Sequence, residues 1–150
     1  MSNLAALFEE ILPDSIAWVE AQSEVGLAIG RPLSPDELAD ARRVGVLAPE
    51  NIRVVVAPAL PLPDDGALRE TAVSTGLLGP EFCGLTLGHA IFIVEGHVSR
   101  RLLTHECRHV RQYENAGSIG EFLGEYLSQI ARFGYHNAPY EVDARRCEID

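Results

Sequence analysis

Residues Thr104 to Tyr113 read THECRHVRQY, with two histidines four apart and a glutamate directly after the first. On a helix, positions four apart lie roughly 40° apart around the axis, so both imidazoles reach the same side and can share one ion. His105 and His109 then supply two nitrogen ligands, and Glu106 stands next to the ion as a base rather than a ligand. A zinc hydrolase needs this spacing, with metal–nitrogen bonds of about 2.0–2.1 Å and one position left open for water. The competing reading is a solvated helix turn that contains two imidazoles by chance.

The surrounding helix favours the first reading. Leu102, Leu103, Glu106, Val110 and Tyr113 form one arc of the helical wheel, and Arg101, Thr104, Arg108 and Arg111 form the opposite, solvent-facing arc. The two histidines fall at the margin of the apolar arc, where a cleft would lie. A surface helix rarely buries a glutamate in its apolar arc without a partner. Cys107 lies inside the motif but about 200° from His105, so it is expected to be packed rather than ligating.

Two histidines leave a zinc site one protein ligand short. An extended H-E-x-x-H-x-x-G-x-x-H arrangement needs glycine at 112 and histidine at 115, but these positions hold Gln112 and Asn115. The stretch NAPYEVDARR, Asn137 to Arg146, offers Glu141 in the first turn of a last helix that opens near Pro139. Glu141 is the expected third ligand, although an acid there also complements a helix N-terminus. Asp143 is expected to act on the helix dipole or behind the ligands. His136 is a rival ligand or oxyanion donor, and Tyr135 and Tyr140 are further oxyanion candidates. Glu114, Glu121 and Glu125 read as solvated helix faces, and His89 and His97 as surface or cleft residues.

The rest of the chain sets the frame. Its 150 residues make one domain, 1–150, able to bury a continuous core. A formal net charge of −10 argues against a nucleic-acid backbone or an anionic membrane as partner, since like charges repel. The opening MSNLAALFEEILPDS lacks a basic start and an unbroken apolar run, so no signal peptide is expected. Without one, the scattered Cys83, Cys107 and Cys147 read as reduced thiols of a cytoplasmic protein.

Local patterns predict the order of elements. Asp14 or Ser15 caps a helix running to about Gly30, with Ile16, Trp18 and Val19 inward. SPDE, Ser34 to Glu37, is a capping box with proline at the first helical position, and Gly45 is the stop. NIRVVVA, Asn51 to Ala57, is a short buried strand, and the prolines of PALPLPDDG force a loop from Pro58 to Gly66. A short helix from Ala67 to about Thr75 follows, then a strand in Gly88–Gly96. Helices run from about Val98 to Ala116, from Ser118 to Phe133 and onward from Pro139. Helices, a small sheet and then helices carrying the motif make an α+β fold.

The segments GLTLGHAIFIVEG, LLTHECRHVRQY and APYEVDA together resemble the gluzincin group of zinc metallopeptidases, in particular small bacterial H-E-x-x-H domains. Thr86, Gly88, Ile91 and Gln112 match that pattern, as does Glu141 at the later glutamate, over roughly Gly84 to Ala144. Cys107 and Arg108 depart from it, standing where apolar or small residues are commoner. The resemblance implies a zincin-like fold with a small mixed sheet, in which the strand near Ile91–Val94 is the edge along which an extended peptide lies. It also implies bound Zn2+ held by His105, His109 and Glu141, Glu106 as catalytic base, and a peptide or protein substrate. Two other functions suit the same residues: a zinc-stabilised interaction domain without activity, and an amidase acting on a small molecule.

Overall fold

The computed structural model describes residues 2–79 and 81–150. Six α-helices surround one three-stranded sheet: α1 (Ser2–Ile29), α2 (Pro35–Arg43), β1 (Arg53–Ala57), α3 (Gly66–Ser74), β2 (Gly84–Leu87), β3 (Ala90–Val94), α4 (Arg100–Ala116), α5 (Ile119–Phe133) and α6 (Pro139–Arg146). The fold is mixed α+β, as the order of patterns predicts.

Helix α2 starts as its sequence dictates. Ser34 Oγ accepts from the Glu37 amide at 3.2 Å while the Glu37 carboxylate accepts from the Ser34 amide at 2.9 Å, closing the capping box. Helix α1 is longer than its caps suggest. It begins at Ser2 and passes straight through Asp14, with Pro13 inside it. Proline removes one ladder donor there, but Leu4, Phe8, Ile11 and Leu12 before it pack with Leu127 and Ile130 of α5, and Ile16 and Val19 after it pack with Phe122 and Leu123. Packing along the length of α1 overrides the local start signal at Asp14 and Ser15.

The sheet order is β1-β3-β2, with β1 parallel and β2 antiparallel to β3. The strand expected at the edge therefore occupies the centre. Alternation along β3 explains this placement. Ile91 and Ile93 face a core with Val54, Leu103, Cys107 and Val110, while Ala90 and Phe92 face another with Val19, Tyr113 and Phe122. A strand buried on both faces and flanked by a second apolar strand has no reason to sit at an edge. Each such fully buried side chain contributes about 1.5–3 kcal/mol. Gly26 lets α1 lie close on this strand, because a Cβ there would come within 2.7 Å of the Ala90 Cβ.

The free edge beside α4 belongs instead to β2, whose GLTL carries no strong β-branched signal of its own. It exists as the partner of β3 in a hairpin that turns at Gly88 and His89, where Leu87 pairs with Ala90.

Candidate metal centre

Helix α4 is fixed at both ends, by Ser99 Oγ accepting from the Leu102 amide and by Gly117 in the left-handed region. Its inner face carries Glu106, His109, Val110, Gln112 and Tyr113, all buried. The imidazoles of His105 and His109 stand edge to face, with centroids 5.0 Å apart. Helix α6, opened by Pro139, brings Glu141 between them from its first turn. Glu141 Oε1 lies 3.3 Å from His105 Nε2 and Oε2 lies 3.1 Å from His109 Nε2. One ligand atom from each of the three residues falls within 4.8 Å of the others, so the group could hold a metal ion.

The geometry and the donor set both suit such an ion. Tetrahedral bonds of about 2.0–2.1 Å place neighbouring ligand atoms about 3.3 Å apart, close to the two separations found here. Hydrogen bonding also fixes which imidazole nitrogens would face an ion. Gln112 Nε2 donates to the Tyr140 carbonyl and to Asp143 Oδ2, each at 2.9 Å, which turns Gln112 Oε1 toward His109 Nδ1 at 2.7 Å. An amide oxygen accepts only, so Nδ1 of His109 carries a proton. His105 Nδ1 likewise meets the Glu148 carboxylate at 2.8 Å. Both Nε2 atoms therefore face Glu141, where each can share a proton with the carboxylate or give that proton up to a cation.

Around this group the polar network is continuous. Asp143 accepts from Arg108 Nε at 2.7 Å, and Arg108 Nη1 donates to the Val44 carbonyl. Arg101 Nε donates to the second oxygen of Glu148. The Tyr126 hydroxyl donates to Glu141 Oε2 at 2.9 Å. Burial opposes ionisation of Glu141, but hydrogen bonds and charge from both histidines hold its carboxyl far below the usual range. Burial likewise opposes a charged His109, yet Glu141 outweighs it and raises that imidazole to about 9.

Glu106 is placed differently. Its Oε1 accepts from Thr86 Oγ1 at 2.8 Å, and the same hydroxyl is within 3.1 Å of the Glu106 carbonyl. Oε2 has no hydrogen-bond donor among the described residues and is not sealed from solvent. The carboxylate lies over Gly84 of β2, where an added Cβ would come within 3.0 Å of Oε2. It is thus a free oxygen beside the three-residue cluster and outside it.

An apolar cavity of about 120 Å³ opens onto Glu106, His109 and Glu141 between α1, α3, α5 and β2. Tyr135 lines it, stacked at a tilt on Phe82 with centroids 5.1 Å apart. Burial and the Glu141 charge push the Tyr135 hydroxyl well above its ordinary value, so it remains a donor. The other oxyanion candidates are elsewhere: His136 is exposed, and Tyr140 stacks on Phe122 at 5.1 Å away from the cavity lining.

Several surface assignments are corrected by this arrangement. Thr104 is 1% exposed, because the segment after α6 crosses it and the Ile149 amide donates to its hydroxyl. Glu114 is tied down by the Leu47 and Ala48 amides and by His89, so it fastens the loop before β1. His97, Glu121 and Glu125 are exposed as expected. Cys107 is buried, with its thiol pushed up to about 12 by desolvation, and plays no part in the cluster. Asp143 accepts from Arg108 and Gln112 beside the three-residue cluster. Gln112 could have been assigned its role from its i+3 spacing to His109; Glu148, Tyr126 and Thr86 carry no such signal.

No known protein family, curated protein or solved structure matches the chain.

Proposed function

We propose that this protein is a zinc-dependent hydrolase of the metallopeptidase type, with His105, His109 and Glu141 as ligands and Glu106 as general base. One observation carries the reading: a carboxylate oxygen without a protein donor borders a cavity beside two imidazoles whose Nε2 atoms converge on a third ligand. A site that only held helices together would gain nothing from that oxygen.

A bound zinc ion supplies Lewis acidity, which polarises a substrate carbonyl and makes water nucleophilic near neutral pH. Glu106 Oε2 takes the proton of the attacking water, while Thr86 holds Oε1 and so fixes the direction of Oε2. The Tyr135 hydroxyl donates to the oxyanion that develops as the carbonyl is attacked. Glu106 then passes its proton to the leaving amine. Tyr126 keeps Glu141 oriented.

An extended substrate would add to β2 rather than to the strand after it. Leu85 and Leu87 direct their backbone groups at β3, because the pairing closes at Leu87 and Ala90 and reappears where the Val94 amide donates to the Cys83 carbonyl. Gly84 and Thr86 face the other way. The Thr86 carbonyl is taken by Tyr113, which leaves the Gly84 amide and carbonyl and the Thr86 amide for a partner strand. The cytoplasmic location expected from the free cysteines is part of this proposal; no helix among the described residues is long and apolar enough to cross a membrane.

The test is metal content together with hydrolysis of a mixed peptide pool followed by mass spectrometry. About one zinc per chain and cleavage that chelation abolishes are expected. Protein that takes up no zinc at neutral pH would end the proposal.

A further inference from the structure

We propose that residues 58–78, with α3 as their rigid body, form a lid over the cavity beside Glu106, His109 and Glu141. The lid swings off as one unit while the rest of the fold stays intact. The sequence already separates this segment from its surroundings. Pro58, Pro61 and Pro63 remove three amide donors from the arm that leads to α3, and Gly79 follows the segment. Helix α3 is short and carries one narrow buried stripe, Leu68 and Ala72, four residues apart.

The hydrogen bonds hold the segment to itself. Asp65 Oδ1 accepts from the Leu68 amide at 2.9 Å, Arg69 Nη1 donates to the Pro63 carbonyl, and the Leu77 and Leu78 amides both donate to the Ala72 carbonyl. Among the described residues, every hydrogen bond of 58–78 stays inside the segment. No ion pair among them joins it to the rest of the fold. The loop before β1 and the segment after α6 are, by contrast, pinned to α4 at Glu114 and at Thr104. Apolar contact is what keeps α3 in place, and α1 is its main neighbour. Leu60 and Leu77 touch core residues near the two ends of the segment. Leu68, Ala72 and Leu78 are buried but belong to none of the three cores, and they line the cavity instead. A helix whose buried face looks into a void forfeits part of the contact that fixes a core helix. Leu68 and Leu78 still favour closure by about ten- to a hundredfold each, through the water they escape. The closed form therefore dominates, and opening needs far less than unfolding. At about 120 Å³ the closed cavity is smaller than the roughly 150 Å³ void that admits benzene. A polypeptide segment reaches Glu106 from this side only after α3 has moved.

Native-state hydrogen exchange of the whole chain tests this with neither metal nor substrate present, so its outcome is separate from that of the hydrolase reading. Amides of residues 69–78 should exchange through one shared opening, about a hundredfold or more faster than those of β3 and α4. Ile52→Val trims a core that no residue of the segment joins. It should lower the protection of β3 and α4 by about two- to tenfold and leave residues 69–78 unchanged, because that core stays packed when the lid opens. Leu68→Ala should speed exchange across the whole of 69–78 by about tenfold or more. Exchange of 69–78 only together with β3 and α4, or an Ile52→Val effect equal in both regions, would make the segment a fixed wall and overturn the lid. So would a Leu68→Ala effect confined to its nearest amides, since that is fraying rather than the movement of one body.

Discussion

Replacing Glu106 by glutamine exchanges one carboxylate oxygen for an amide nitrogen and leaves the shape of the side chain unchanged. Thr86 Oγ1 donates to Oε1 at 2.8 Å, and the amide oxygen can keep that bond, so the new NH2 group takes the place of Oε2. A donor then faces the cavity where a proton acceptor stood. Loss of a general base costs about 10²–10⁴-fold in rate, or roughly 2.7–5.5 kcal/mol of barrier. The fold loses only the charge assistance in one hydrogen bond, about 1 kcal/mol, which corresponds to a melting shift of roughly 2–4 °C for a chain of this size. Zinc is retained, because no ligand has changed. Glu141→Ala should do the reverse. Structural zinc sites bind with about 10–16 kcal/mol shared among four ligands, so removing one ligand weakens affinity by roughly 10²–10³-fold. Competition with a chromophoric chelator measures the affinities, and timed mass spectrometry of peptide products measures the rates. Equal zinc affinity in the two variants would show that Glu141 is no ligand. Undiminished hydrolysis by Glu106→Gln would remove the base from the mechanism.

Gly84→Ala should separate the base from the ligands in another way. Its Cβ would press on the Glu106 carboxylate at 3.0–3.2 Å, and displacement of the base should lower the rate by about tenfold or more with zinc affinity unchanged; an unaltered rate would mean that the carboxylate position does not matter. Gln112→Met removes the acceptor that holds His109 Nδ1, and zinc affinity should fall about 10–100-fold; isothermal titration showing parental affinity would refute the orientation argument. The metal-free protein should lose stability as pH rises from about 6.5 to 9, because the raised His109 stabilises the fold fully only below its unfolded value and ceases to do so once it is deprotonated. Zinc displaces that proton and binds more tightly at higher pH, so the melting-temperature gap between loaded and chelated protein should widen over this range. A gap independent of pH in calorimetry would contradict it.

Much of the architecture is legible in the sequence because each helix end carries its own chemistry. The Ser34 capping box acts within a few residues and forms as read, and the Ser99 and Ser118 caps and the Gly117 stop that bound the next helices are equally local. What fails depends on partners distant in sequence. Asp14 or Ser15 marks a helix start only for a chain without α5 packed beside the residues before it. The run from Ala90 to Val94 announces a strand, but its position in the sheet depends on β1 pairing with one side and the weak GLTL strand with the other. An edge was expected at the segment with the strongest β signal, and the physics favours the opposite. Two-sided pairing suits the most apolar strand, and the strand with glycine and a hydroxyl is left facing the cleft.

The same division runs through the candidate site. His105, Glu106, His109 and Glu141 are visible because one helical repeat and one first turn place them. The residues that make these groups useful are mostly invisible. Glu148 reaches His105 only because the segment after α6 folds back over α4, held by Arg100 on Asp150 and by the Ile149 amide on Thr104. Thr86 reaches Glu106 only because β2 forms. Thr104 shows how the two kinds of information conflict. Its place on the wheel is correct for an isolated helix, and the returning segment reverses its exposure. That reversal has a chemical consequence. The segment that buries Thr104 also brings the carboxylate that accepts from Nδ1–H of His105 and turns Nε2 toward Glu141, so packing of 147–150 and orientation of this proposed ligand are one event. The matching event on His109 is local, since Gln112 lies three residues further along α4. One ligand is therefore prepared by the helix itself and the other by tertiary folding. A truncated or partly unfolded chain would retain the first and lose the second.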